Sequence, residues 1–459
     1  MKTNLKIVYL LSFLLITNYC ASHSSAQTNP PKNIILIIID GCGFNHIEAT
    51  NYFEYGIKGA QIYEQFPVQL AMSTYNVNRS YDSEKAWSEF DYVKERPTDS
   101  AAAATAMSSG TKTVKGYLGV DEHNNILPLI GERLEECDKS TGVVTTVPLC
   151  HATPAGFVAH INNRGDYSFI ARQMLKESKV DVIIGAGHPF YDDNSVAVDT
   201  PEYQYVGGKA TWEAIVNGEL GNNADNDQEI EYWTLATEKA EFIDLMEGPT
   251  PERLLGVFKT RTTLQQGRTG DPFAAPFSAP LTENLPELYE LSLAAINVLD
   301  DDPDGFFLMI EGGAVDWAAH SNQSGRMIEE LMDLNKAVNK IADWIQQNSS
   351  WDETLLIITA DHETGYLTGP LSGTNYADSS NSGTPQWSPI VNNGKGILPG
   401  MEWHSGNHTN SLVPFYAKGA GSELFQKYAD ELDPVRGNYL DNIEIPALIF
   451  ALFSEHSQQ

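Results

Sequence analysis

Three carboxylates each close an apolar, β-branched run. Ile34–Ile39 ends in Asp40-Gly41, Phe306–Ile310 in Glu311-Gly312-Gly313, and Leu355–Ala360 in Asp361-His362. Ligands of open α/β sheets sit beyond the carboxyl ends of the strands, so these acids are expected on one rim. A single strand-end aspartate is more often a turn or cap residue. Three of them, one with a histidine beside it, are hard to explain as caps. Asp316 and His320 are four apart in Val-Asp-Trp-Ala-Ala-His, a spacing that puts both on one face of a helical turn. His408 follows in Gly-Asn-His-Thr-Asn. Any one of these histidines alone is more often structural. Together they fit oxygen and nitrogen ligation of zinc-like ions, and the number of ligands fits a two-metal centre.

A nucleophile candidate stands at Thr98-Asp99-Ser100, just before the Ala-rich run Ala101–Ala104. Ser100 is therefore expected at a helix N-terminus. An isolated serine there would be a plain N-cap. The same position also offers free N–H groups to an anion, and a nearby metal can activate the hydroxyl to attack phosphorus. Arg164, read as emerging after a strand Gly156–Ile161, suits a bidentate grip on phosphate oxygens, with Asp99 as an ion-pair partner. His151-Ala152-Thr153-Pro154 completes the set.

These residues need a scaffold that brings strand ends together. Strands are expected at Asn33–Ile39, Val68–Tyr75, Thr141–Val147, Gly156–Ile161, Val180–Gly185, Gly305–Ile310, Thr354–Thr359 and Val413–Lys418. Several are continuous hydrophobic runs, the mark of strands buried on both faces of a mostly parallel sheet. Helical patterns lie between them at Ser100–Ser109, Leu127–Cys137, Tyr167–Lys176, Trp233–Met246, Leu285–Leu299 and Gly325–Gln347. The expected fold is α/β, a three-layer α/β/α sandwich with helices on both sheet faces. Two stretches rich in Gly, Asn, Asp, Ser and Pro, about 193–227 and 371–400, read as insertions.

The 459 residues carry 61 acids against 29 Lys and Arg, for a net charge of −32. That balance disfavours binding to nucleic acid or to an anionic membrane surface. Residues 1–26 have the form of a secretory signal. Lys2 and Lys6 precede a short apolar run, and Ser24-Ser25-Ala26 places small residues at a cleavage site. Lipid anchoring at Cys20 is disfavoured by Tyr19 before it. No later segment is long and apolar enough to span a membrane, so an exported protein, periplasmic or secreted, is expected. Beyond the signal only Cys42, Cys137 and Cys150 remain, allowing at most one disulfide, with Cys137 and Cys150 the nearest pair in sequence.

Taken in order, these motifs resemble the alkaline phosphatases. Thr98-Asp99-Ser100-Ala101-Ala102, with Gly119-Val120-Asp121 downstream, looks like the family's nucleophile segment. The turn Asp40–Gly43, Ala152–Ala155, Glu311-Gly312, Asp316…His320, Thr359–His362 and His408-Thr409 follow in the family's order. The resemblance implies a phosphomonoesterase working through a phosphoserine on Ser100, with phosphate monoesters and inorganic phosphate as its partners. It implies that Asp316, His320 and His408 bind one zinc and that Asp40, Asp361 and His362 bind a second. A third ion, usually magnesium, would lie on Asp40, Thr153 and Glu311. Arg164 would clamp the phosphoryl oxygens, oriented by Asp99. His151 and Trp317 stand near the third site, where the enteric bacterial pattern has Asp and Lys. The resemblance further implies a homodimer and a single catalytic domain over 27–459, with a crown-like insertion at about 371–407. Two rivals are a related phosphodiesterase or sulfatase and an exported phosphate- or metal-binding protein without turnover. Ser100-Ala101-Ala102-Ala103 lacks the Cys/Ser-x-Pro-x-Arg context of sulfatases, and Thr153, Glu311 and Arg164 favour the monoesterase over a diesterase.

Overall fold

The computed structural model describes residues 30–222, 230–373 and 387–454. Residues 1–26, residues 223–227 of the first expected insertion and residues 374–386 of the second lie outside the described residues.

Among the described residues the core is a twelve-stranded sheet. Seven neighbouring strands run parallel, in the order Thr354–Thr359, Asn33–Ile38, Phe306–Glu311, Ser140–Pro148, Val182–Ala186, Arg253–Val257 and Glu231–Ala236. Val413–Gly419 lies antiparallel between Thr354–Thr359 and Val68–Ser73. Every residue of Asn33–Ile38, Phe306–Glu311 and Thr354–Thr359 is buried. That burial explains why these runs lack polar alternation. Helices cover both faces. Leu288–Leu299, Ser324–Asn348 and Phe44–Tyr55 belong to one packed group, while Ser100–Ser109, Ala152–Ala155, Ile130–Glu135 and Glu444–Ser454 form another.

The register of the central strands places the rim. Ile38 pairs with Thr359 on one side and Glu311 on the other. Asp40 and Asp361 therefore lie at the same height, two residues beyond a paired position, with Glu311 just below.

Two expected elements are not formed. Gly156–Ile161 is not a strand: the helix Ala152–Ala155 runs into turns, and only Ile161 forms an isolated bridge, with Leu118. The run is apolar because it packs behind the helix Ser100–Ser109, all ten residues of which are buried. A Cβ on Gly156 would stand 2.6 Å from that of Ala104, so glycine permits the close approach. Arg164 accordingly leaves a turn and not a strand end. The expected helix Trp233–Met246 is the strand Glu231–Ala236 followed by the helix Lys239–Leu245. Pairing with Arg253–Val257 and the Arg253 guanidinium lying 4.1 Å over the Trp233 ring hold the first half extended, so tertiary contact overrides local periodicity. Cys42 and Cys150 are buried, Cys137 is exposed, and all three are free.

Candidate active site

The strand-end acids converge. Asp40, Asp361 and His362 present ligand atoms that all lie within 4.8 Å of one another, and so do Asp316, His362 and His408. His362 Nε2 is 3.5 Å from Asp40 Oδ1 and 3.2 Å from Asp361 Oδ2. Asp316 and His320 share one face of the helix Ala314–His320, with His320 Nε2 3.5 Å from Asp316 Oδ2. His408 reaches them through a short antiparallel ladder that pairs Thr364 with His408. Its Nε2 lies 2.9 Å from His320 Nε2 and 3.6 Å from Asp316 Oδ1. Gly41 lets the Asp40 turn meet this helix. Its φ is +75°, and a Cβ there would fall 2.8 Å from Asp316 Cα.

Hydrogen bonds fix the tautomers of all three histidines. His320 Nδ1 faces the Gly406 carbonyl at 2.7 Å, and His408 Nδ1 faces the Thr98 carbonyl at 3.0 Å. A carbonyl only accepts, so each Nδ1 carries its proton and each Nε2 presents a lone pair. Thr364 Oγ1 donates to Asp316 Oδ1 at 2.6 Å and stands 3.3 Å from His362 Nδ1. The Asp316 carboxylate takes the hydroxyl proton, so His362 Nδ1 must donate to Thr364. The Nε2 lone pairs of His320 and His408 therefore face each other and the Asp316 carboxylate with no proton between them, an arrangement that asks for a cation.

The buried oxygens say the same. Both Asp40 carboxylate oxygens, Asp361 Oδ2, Glu311 Oε1 and Thr153 Oγ1 are buried without a hydrogen-bond partner. Burial, then the neighbouring Asp361, Asp316 and Glu311, pushes the Asp40 carboxyl well up. Burial and Asp316 lift Asp361 to about 8. Glu311 rises to about 7 by burial, although Thr145 donates to its Oε2. Such a cluster is costly in isolation and is relieved by divalent cations. The residues thus fit the ions. Carboxylates with imidazole suit zinc, and the all-oxygen set Asp40, Glu311 and Thr153 suits magnesium.

Ser100 is the first residue of its helix and stands between the groups, with Oγ 3.2 Å from His362 Nε2. The N-cap is Asp99, not Ser100. Asp99 Oδ1 accepts from Ala102 N at 3.1 Å, so the serine hydroxyl has no capping duty. The same carboxylate accepts Gly116 N and, at 3.0 Å, Arg164 Nη1. Arg164 N in turn donates to Gly116 O at 2.8 Å. Ser100, Arg164, Asp316, His320 and His408 line one cavity of about 410 Å³, with His151 and Trp317 on its wall. His151 lies edge-on to Trp317, and burial together with Arg164 lowers it to about 3, so it is neutral.

A family model described as alkaline phosphatase matches residues 31–396. The chain belongs to the alkaline phosphatase family, the phosphoric monoester hydrolases. It is 30% identical over 365 residues to the alkaline phosphatase of Escherichia coli, covering 74% of this chain and 72% of that protein. It is 28% identical to alkaline phosphatase 3 of Bacillus subtilis, where the match spans 73% of this chain but only 61% of the relative. The alkaline phosphatase of the Antarctic bacterium TAB5 superposes with a TM-score of 0.61 at 25% identity, over 93% of this chain and 99% of that one. A histidine-to-aspartate variant of that enzyme, with Mg bound in its M3 site, superposes with a TM-score of 0.63 at 25% identity and the same coverage. The family is metal-dependent, and the two acid–histidine groups are where this chain could hold ions.

Within this alkaline phosphatase fold, sequence reasoning passed over several residues. Thr364 ties Asp316 to His362, and its place two residues after His362 on an extended run could have signalled it. Gln266 lines the cavity with its side-chain amide 2.8 Å from Gln323 Oε1, and no local pattern marks it. His404, four before His408, stays out of the cluster and bonds Thr368 Oγ1 at 2.7 Å.

Proposed function

We propose that the protein hydrolyses phosphate monoesters in two displacements through a phosphoserine at Ser100. The observation that carries this is the placement of Ser100 Oγ at the junction of two acid–histidine groups, beside an arginine already oriented by Asp99. Asp316, His320 and His408 would hold one zinc, Asp40, Asp361 and His362 a second, and Asp40, Thr153 and Glu311 a magnesium-type ion. When bound, such ions lower the pKa of a hydroxyl or water and stabilise charge on phosphoryl and leaving oxygens. Ser100 gives up its proton to solvent and bonds to phosphorus as the bond to the leaving oxygen breaks, and the departing alkoxide takes a proton from solvent. Water then attacks phosphorus and passes a proton to the departing Ser100 oxygen, which frees phosphate and restores the hydroxyl. Arg164 binds two non-bridging oxygens, and Asp99 keeps its guanidinium in place. Positioning and charge stabilisation supply most of the rate. The reading extends to export directed by residues 1–26, a homodimer, and a crown-like segment at 371–407. A chromogenic phosphate ester assayed with and without chelator tests it. Metal-dependent release of phosphate is expected, and binding of phosphate without turnover would leave only a binding protein.

Zinc should restore chelated enzyme more fully when magnesium is present. His151, neutral and with Nδ1 unpartnered, offers less to a hard cation than a carboxylate would, so His151→Asp should increase the magnesium response. No magnesium effect in either protein would remove the third ion from the reading.

Arg164→Ala should distinguish monoesters from diesters. A monoester dianion presents two free oxygens to the guanidinium, and a diester has one blocked by its second alkyl group. Charge-assisted bonds of about 1.5–3 kcal/mol each imply a monoester loss of roughly tenfold to a few hundredfold for one bond, and more when both are lost. Diester hydrolysis should fall much less. Equal losses in kcat/KM would mean that Arg164 only holds the site together.

A further inference from the structure

A second cavity of about 570 Å³ adjoins the catalytic one and shares its walls His320 and His408. Lys94, Lys115, Ser405 and Asn407 line its other side. Two lysines here are conspicuous in a chain with 61 acids and 29 bases. Lys115 is exposed and, among the described residues, forms no ion pair; its charged neighbours are Asp99 and Arg79. Asp99 is the acid in this cavity, and its oxygens are already taken by Ala102, Gly116 and Arg164. Lys94 pairs with Asp91 and rests 5.8 Å from the centre of the Phe90 ring. The loop bearing Lys115 is rigidly referred to the site. Gly116, its neighbour, donates to Asp99 and accepts from Arg164 N, so Lys115 and the phosphoryl-binding arginine hang on one carboxylate.

We propose that this cavity is a subsite for a second anionic group on the leaving side of the substrate, read by Lys115 with support from Lys94. The preferred substrates are then phosphomonoesters whose alcohol carries a carboxylate or a further phosphate a few bonds away. This rests on the monoesterase reading, to which it adds that the leaving oxygen departs on the side of Asp316, His320 and His408, the two histidines being shared by both cavities. The wall formed by His320 and His408 leads from there into the lysine-lined cavity.

The test uses n-alkyl phosphates of two to six carbons and the ω-carboxyalkyl phosphates of the same lengths, which differ only by the added anion. In zinc-loaded protein, kcat/KM should favour the carboxylated ester at one or two chain lengths by about fivefold, the scale of one exposed ion pair. The gain should lie in KM and not kcat. Binding of the same pairs to zinc-loaded Ser100→Ala, measured by calorimetry, should show the same preference without turnover. Lys115→Met should abolish the preference, Lys94→Met should reduce it, and Lys115→Arg should keep it. A preference absent at every length, or unchanged in Lys115→Met, overturns the subsite while leaving the phosphatase reading intact. Hydrolysis of neither series by the loaded wild-type protein overturns both.

Discussion

Replacing Ser100 with alanine should lower monoester turnover by at least about a thousandfold while zinc content and fold stay as in the wild type. In the proposed mechanism the hydroxyl is the group that bonds to phosphorus; it lies 3.2 Å from His362 Nε2 and lines the same cavity as Arg164. Its removal leaves water as nucleophile, still helped by whatever charge the site supplies. Folding should not suffer. Asp99, not Ser100, caps the helix, so alanine at position 100 removes no capping bond. The melting temperature should therefore move by no more than about 2 °C. Radiolabelled substrate quenched in acid should label wild type on Ser100 and leave the variant unlabelled. Wild-type turnover in the zinc-loaded variant would remove Ser100 as nucleophile. Asp99→Ala should differ, because it takes away the helix cap, the Gly116 anchor and the Arg164 partner together.

Stripping the metals should inactivate the protein and leave a fold whose stability declines as pH rises. Without cations, Asp361 titrates at about 8 and Glu311 at about 7, and Asp40 is raised well above its ordinary value. In the unfolded chain the same carboxyls lose their protons near pH 4. Between about pH 5 and 8 the folded metal-free protein therefore holds more protons. Its stability is fullest below the unfolded values and is lost as pH climbs through 7 to 8. Each retained proton is worth about 1.4 kcal/mol per pH unit in that window. Bound cations replace those protons, so the metal-loaded protein should show a shallower slope, and zinc addition near pH 7 should release protons. Glu330 at about 8 and Asp333 at about 7, outside the site, tilt both forms equally, so the difference between the two slopes is the quantity to read. Melting temperatures at pH 6, 7, 8 and 9 on chelated and zinc-loaded protein supply it. Parallel curves would mean that the acid cluster is not where the ions sit.

The sequence by itself determined the ends of the central strands and what stands on them. Asn33–Ile38, Phe306–Glu311 and Thr354–Thr359 are unbroken buried runs, and an acid at or just past the end of such a run lies on the rim wherever the strand sits in a parallel sheet. Asp316 and His320 share a face because helical spacing is local, and the Ala-rich helix behind Ser100 is equally local in origin. Partnership was decided only by the tertiary structure. His408 lies 46 residues past His362, and nothing near it states that it pairs through Thr364. The same holds for Thr364 between Asp316 and His362, for Asp99 adding a helix N-terminus and the Gly116 loop to the arginine already expected beside it, and for Lys115 beside the cavity. Where the sequence misled, at Gly156–Ile161 and Glu231–Ala236, the geometry came from neighbours far along the chain; in the first, apolar content did record burial. Periodicity records which residues avoid water. Which backbone lies alongside is set by packing and ladder partners that no short window contains.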